Sequence, residues 1–226
     1  MKHKPTLKQI LDAQIRQLLF GKSHLRVAKG LLDADPVILM SAPTFFGLTR
    51  DGSLDLAQMV LARLYDRTPG AVTIPMMLKQ ARQEIGSFFR GDRAQITQAI
   101  YEAEQTVLGL SSVLSSIKTR RDKWLAQLDP GTVRDPAGLA IKAQLSIPDL
   151  DRAFHDSEQI LRDMSSLYEG VIGKIESLGQ EDYEQALDWI RKAKCEYIGN
   201  FEKEFGPAAW TGPKPKKFTT DNFKML

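Results

Sequence analysis

The sequence predicts an all-α protein, a helical bundle of about five to seven helices with a flexible C-terminal tail. Three observations carry that expectation. Apolar residues recur at alternating steps of four and three, helix-start signatures precede those stretches, and no alternating strand run with a hairpin turn occurs in the 226 residues.

Thr6 and Gln9 form a capping box ahead of Leu7, Ile10, Leu11, Ile15, Leu18 and Leu19, and this helix is expected to run past Gly21 to Leu32. Asp35-Pro36 marks its end. The region 36–65 is helical but interrupted at Ala42-Pro43 and weakened at Gly47 and Gly52, which predicts a kink or two helices. Leu54 to Leu64 is apolar on one face. Thr73 caps a short helix with Pro75 in its first turn, and Gly91-Asp92 separates it from the longest regular pattern of the chain.

That pattern is Ile96, Ile100, Ala103, Val107, Leu110, Leu114 and Ile117, a seam of bundle or coiled-coil type. Continued without a break, it lands on Arg121, Trp124 and Leu128. A guanidinium on a core stripe is expected to be buried against a partner or to face a cleft. Trp124 on the same stripe reads as a packed side chain before it reads as a platform for a base.

A turn-rich break from Asp129 to Gly138 follows. Ser146-Ile147-Pro148-Asp149 then joins a capping box to a first-turn proline. Leu150, Phe154, Leu161, Met164, Tyr168, Val171 and Ile175 repeat the alternating spacing, with Ser157 as the one polar member of the seam. Tyr183, Leu187, Ile190, Cys195, Ile198 and Phe201 predict a final helix stopping at Gly206-Pro207. One bundle domain is expected over residues 1–205, and the Pro- and Lys-rich residues 206–226 are expected to form a mobile tail.

Composition sets the class. A hydrophobic share of 42% with 26% charged residues is ordinary for a soluble globular protein, and the lone Cys195 cannot close an internal disulfide. A reducing, cytoplasmic setting is expected. Neither a signal-peptide core nor an apolar run of membrane length is present, so no membrane partner is expected.

The net charge of +3 lies in the tail, where Lys214, Lys216, Lys217 and Lys224 stand against Asp221, so the body of the chain is formally neutral. Phosphate binding there needs a local cluster. One exists at Lys118, Arg120, Arg121 and Lys123, offset by Asp122. The plain alternative is a solvated helix end, where cations favour the dipole. The tail lysines likewise read as a solvated segment or as an arm that grips RNA.

Familiar chemistries are absent. One cysteine and three scattered histidines, at positions 3, 24 and 155, do not build a zinc site, and no phosphate loop, dinucleotide fingerprint or nucleophile elbow occurs. His24 and His155 read as hydrogen-bonded or surface residues. Glu102 and Glu104, two apart on a helix, diverge. No metal or other cofactor is expected.

The stretch Arg121-Asp122-Lys123-Trp124-Leu125-Ala126-Gln127 carries the functional signal. It resembles the signature of the HEPN superfamily (higher eukaryotes and prokaryotes nucleotide-binding): an arginine, a polar residue, a short spacer and then a histidine, whose place is taken here by Gln127. Together with Ser41-Ala42-Pro43-Thr44-Phe45-Phe46, Leu61-Ala62-Arg63-Leu64-Tyr65-Asp66 and Leu125-Ala126-Gln127-Leu128-Asp129, it is similar to the abortive-infection U-type branch of HEPN proteins.

The resemblance implies helical proteins that dimerise so that two motifs share a composite cleft, many of them metal-independent endoribonucleases of toxin-antitoxin or phage-defence systems. RNA is then the implied partner, with an antitoxin or regulatory protein as a further one. It implies Arg121 as the phosphate-binding residue, Asp122 as the residue that orients it, and Gln127 at the position of the proton-transferring histidine, with Lys118, Arg120 and Lys123 as RNA-binding neighbours. An amide does not titrate near neutral pH and cannot act as general acid or base.

Three readings fit Gln127: a change introduced to silence a toxic enzyme, a natural residue of a catalytically dead member, or a catalytic residue located elsewhere. On a regular helix, six steps rotate by about 600° and leave Arg121 and Gln127 about 120° apart, so a broken helix or a second protomer is needed to bring them together. The leading expectation is a ribonuclease scaffold that is inactive or crippled as it stands. The alternatives are a non-catalytic helical module that dimerises and binds a protein, nucleotide or RNA, and an unrelated bundle with a chance motif.

Overall fold

Thr6 opens the first helix as predicted, its hydroxyl accepting the Gln9 N–H at 3.3 Å while the Gln9 side-chain carbonyl accepts the Thr6 N–H at 3.0 Å. α1 runs Leu7–Asp33. The computed structural model to which it belongs describes residues 5–125, 133–170, 180–207 and 209–215. Asp35 accepts the Val37 N–H and starts the one-turn α2 (Pro36–Leu39), after which α3 covers Pro43–Leu64. The break at Ala42-Pro43 therefore exists, whereas Gly47 and Gly52 sit inside one continuous helix.

α4 (Ile74–Gln83) begins at Thr73 with proline in its first turn, and a 3-10 turn follows at Ile85–Ser87. α5 (Arg93–Gly109) starts from a capping box of Asp92 and Gln95. It is followed by α6 (Ser111–Arg120), a π-helical turn at Arg121–Leu125, α7 (Pro136–Lys142), α8 (Ile147–Glu169) and α9 (Gln180–Phe205). Among the described residues no strand occurs, and the fold class is all-α as predicted.

Three boundaries differ from the sequence reading. The long seam is split, because the chain leaves α-helical geometry at Leu110 (φ −87°, ψ 0°), just after Gly109, the poorest helix former of that run. The seam itself stays inside: Ile96, Ile100, Ala103, Leu110 and Ile117 are buried, with Val107 and Leu114 partly so. The turn-rich break contains α7, set up by the Asp135 carboxylate accepting the Gly138 N–H at 2.8 Å. α8 stops at Gly170, whose φ of +71° ends the helix, so Val171 and Ile175 lie beyond it and outside the described residues.

The chain forms two compact units. The first comprises Met1–Leu25 and Ser53–Leu178. Its core joins Leu11 and Leu18 of α1 to Leu61 of α3, Met77 of α4, Ile100 of α5, Ile117 of α6, and Phe154 and Leu161 of α8. Two close contacts organise it. At Gly21 a Cβ would stand 2.6 Å from the Phe154 ring and 2.7 Å from Val60, so α1 reaches this crossing only because it has no side chain there. Ser157, the polar residue on the α8 seam, is fully buried, donates to the Ala153 carbonyl at 2.6 Å and meets the Tyr65 hydroxyl at 2.7 Å. A serine has one proton to donate, so Tyr65 is the donor of that pair. Burial pushes the Tyr65 phenol up to about 12, so it keeps its proton at neutral pH.

Lys8–Glu169 at 2.5 Å and Lys22–Glu158 tie α1 to α8. Burial alone pushes the Glu158 carboxyl up, but the hydrogen bond from Lys22 and the charges of Lys22 and Arg162 more than reverse this, leaving it below its ordinary value. A carboxyl lowered by folding adds stability above its unfolded pKa, about 4.3, and loses it as pH falls through the folded value. Lys22→Met is accordingly expected to lower Tm at neutral pH and to flatten the acid limb of Tm against pH below about pH 5. An acid limb identical to that of the parent would rule the pair out as a contributor.

The second unit comprises Arg26–Gly52 and Gly179–Leu226. Lys194 of α9 donates to the Val37 carbonyl at 2.7 Å and to the Ser41 hydroxyl at 3.1 Å, placing a cation at the negative end of α2. Cys195, assigned to the inner seam by its sequence position, is exposed instead. Five steps from Ile190 rotate it about 140° off the stripe, whereas four steps bring Lys194 to within about 40° of it. Of the tail expected to be mobile, residues 209–215 lie against α9: Trp210 packs edge-on to Tyr197 and Phe201 at 6.0 and 5.9 Å, and Lys214 pairs with Glu202 at 2.6 Å.

Candidate functional site

The basic cluster occupies the end of α6 and the π-helical turn that follows it. Lys118 and Arg120 lie in the last turn of α6, where cations are favoured by the helix dipole, and Lys123 lies in the π turn. Lys118 and Lys123 are exposed, and Arg120 and Arg121 are half-buried. A π turn adds a residue to the ring closed by each hydrogen bond, so from Arg121 onward the chain no longer follows the α-helical register. The regular α-helical spacing that would set Arg121 and Gln127 about 120° apart therefore ends at the first residue of the motif. Gln127, Leu128 and the side chain of Trp124 lie outside the described residues.

Arg121 sits where the seam predicts, with 22% of its side chain exposed, and carboxylates engage it from two sides. Its Nε donates to Asp122 Oδ1 at 2.7 Å, and its Nη1 donates to Asp66 Oδ2 at 3.3 Å. The hydrogen bond to Asp122 holds the guanidinium above its ordinary pKa. A guanidinium presents five N–H donors in a planar fork, so two carboxylate contacts fix its plane and leave donor capacity for another anion.

Asp66 is the contact that reasoning from the sequence missed. It follows α3, where the negative end of the helix dipole disfavours an acid, and that mismatch is the signal that could have singled it out. Thr68 holds Asp66 in place: one carboxylate oxygen accepts both the Thr68 hydroxyl, at 2.9 Å, and the Thr68 N–H, at 3.0 Å. The hydroxyl is the main reason that the Asp66 carboxyl lies below its usual range. The other oxygen faces Arg121.

The remaining titratable candidates are occupied or misplaced for this chemistry. Glu102 accepts from Gln98 and Glu104 pairs with Arg82, as expected of diverging acids. His24 packs edge-on to Phe20, and partial burial lowers its pKa. His155 opens into a groove of about 580 Å³ between α5 and α8 whose Glu102, Asp156 and Asp163 give it the wrong charge for a polyanion.

The HEPN_AbiU2 family model, described as AbiU2, matches residues 38–187 of this chain. The chain belongs to the AbiU2 family of HEPN proteins. No curated protein and no solved structure matches it. The AbiU2 match takes in the segments 41–46, 61–66 and 121–127 together, and with them Asp66, Arg121 and Asp122. It ends inside α9, so the tail lysines lie outside the AbiU2 region. The structure adds that no helix among the described residues is long and apolar enough to cross a membrane.

Proposed function

We propose that this AbiU2-family chain is the scaffold of a metal-independent HEPN endoribonuclease of an abortive-infection or toxin-antitoxin system, one that, with glutamine at position 127, binds RNA but does not cut it. Arg121 grips the scissile phosphate, Asp122 orients the guanidinium, and Lys118, Arg120 and Lys123 hold the flanking backbone. Gln127 occupies the place of the proton-transferring histidine, so the chemical step is lost while hydrogen bonding is kept. Two chains form the composite cleft in the cytoplasm, under the control of an antitoxin or regulatory protein.

One observation supports this reading above the others: a half-buried arginine, held by Asp122 and Asp66 together, lies within the basic cluster where α6 gives way to the π-helical turn. Arg50 makes the same neighbour contact with Asp51 on an exposed stretch of α3, and Arg121 differs from it in being less exposed and in meeting a second carboxylate, Asp66. A second reading, a non-catalytic protein-binding module, draws on the exposed Trp189 and Phe205 of α9.

RNA affinity separates the two. Arg121→Ala is expected to weaken binding of single-stranded RNA by about tenfold or more and to reduce the salt slope by about one. Unchanged affinity in the variant would transfer the function to the protein-binding reading.

A further inference from the structure

We infer that Asp66 is a positioning residue for Arg121, setting the plane in which the guanidinium meets an RNA phosphate. The inference rests on the reading of Arg121 as the phosphate-binding residue and deepens it. Three restraints act on Asp66 before Arg121 is considered. Its neighbour Tyr65 is buried and bonded to Ser157 of α8, which anchors the backbone after α3. The Asp66 N–H bonds the Arg63 carbonyl at 3.4 Å, and Thr68 clips one carboxylate oxygen from both its hydroxyl and its N–H. The remaining oxygen, Oδ2, reaches Arg121 Nη1 at 3.3 Å from a position 55 residues away in sequence.

Asp122 bonds Nε alone, and a single contact leaves the fork free to rotate about that bond. A second carboxylate on Nη1 removes the rotation. This is the support expected of a binding group whose geometry must be set before its ligand arrives.

The sign of the effect distinguishes positioning from mere proximity. By Coulomb's law alone, neutralising an acid beside a phosphate-binding arginine tightens RNA binding. A positioning residue behaves in the opposite way: without it the arginine loses its orientation and binding weakens. Asp66→Asn keeps the size of the side chain and a carbonyl for Thr68, but turns an amide donor or a neutral oxygen toward Arg121.

The experiment measures affinity for labelled polyuridylate at fixed ionic strength, with Tm recorded for each variant. Asp66→Asn is expected to weaken binding by about threefold to tenfold at unchanged Tm, and to cause no further loss when Arg121→Ala is already present. Affinity equal to or tighter than the parent's in Asp66→Asn, while Arg121→Ala still weakens it, overturns the positioning role and leaves the arginine site standing. Parental affinity in Arg121→Ala removes the site and the inference with it. Should Asp66→Asn lower Tm, Thr68→Val decides, because it deletes one clip and changes no charge. A loss of about twofold is expected of it, and no loss overturns the inference.

Discussion

On the proposed function, Gln127→His is expected to confer RNA cleavage in the presence of a chelator, with a rate gain of about 10²–10⁴-fold over the parent. In the reaction implied by the resemblance, the RNA 2′-oxygen attacks the adjacent phosphorus and the bond from phosphorus to the 5′-oxygen breaks. A proton leaves the 2′-hydroxyl, and one must reach the departing oxygen. An imidazole can accept the first and supply the second near neutral pH, whereas an amide does neither. Arg121 is expected to offset the charge that builds on the phosphoryl oxygens, so Arg121→Ala should abolish the gain. The rate of the Gln127→His variant should inflect near the ordinary imidazole range, about pH 6.5. A variant with the parent's Tm and oligomeric state that cleaves no RNA would falsify the account of Gln127 as the replacement of a catalytic histidine.

Gly21→Ala is expected to destabilise the first unit by about 1–3 kcal/mol, even though helix propensity favours alanine by about 1 kcal/mol. The added methyl would stand 2.6 Å from the Phe154 ring and 2.7 Å from Val60. Phe154 is 2% exposed and Val60 3%, so neither can swing into solvent to make room. Gly47→Ala, in the second unit, is the contrasting substitution. It too lies inside a helix, but a Cβ there meets nothing within 4 Å, and a gain of about 0.5–1 kcal/mol is expected. Denaturant midpoints should therefore move in opposite directions for the two substitutions. Phe154→Leu added to Gly21→Ala should recover part of the loss, since the two changes act on one contact. A Gly21→Ala midpoint at or above the parent's would mean that the crossing relaxes and the glycine is not required.

Much of the fold is legible because helix starts are written in short range. Thr6 with Gln9, Thr73 with Pro75 and Ser146 with Asp149 each place a helix within a residue of where it begins. The Ile96 to Ile117 stripe likewise names buried residues correctly, because burial follows a period that the chain carries in itself. Reading failed where a local pattern had two continuations. The stripe continues in sequence past Gly109 and Arg120; Gly109 is the one local mark of the restart at Ser111, and the apolar spacing does not register the π turn at Arg121. At Cys195 apolar character was read as burial, although its angle on α9 points it outward and Lys194 takes the inner position.

For the candidate site the division is similar. Arg121, Asp122 and the surrounding cations are visible as a motif because they are contiguous, and the family membership rests on the AbiU2 match over residues 38–187, which takes in that motif and the segments 41–46 and 61–66. The contact of Asp66 with Arg121 is not visible, because the two lie 55 residues apart.

The sequence by itself determined the all-α class, the helix starts, the buried stripes and the residues of the motif, since each is a matter of neighbours within one or two helical turns. Only the tertiary structure decided that Gly21 is a crossing point, that Ser157 answers Tyr65, and that Arg121 is shared between Asp122 and Asp66. Each depends on a contact between segments far apart in sequence: Gly21 with Phe154, Tyr65 with Ser157, and Asp66 with Arg121. Packing sets them to within a few tenths of an ångström, a distance that no periodicity along the chain records.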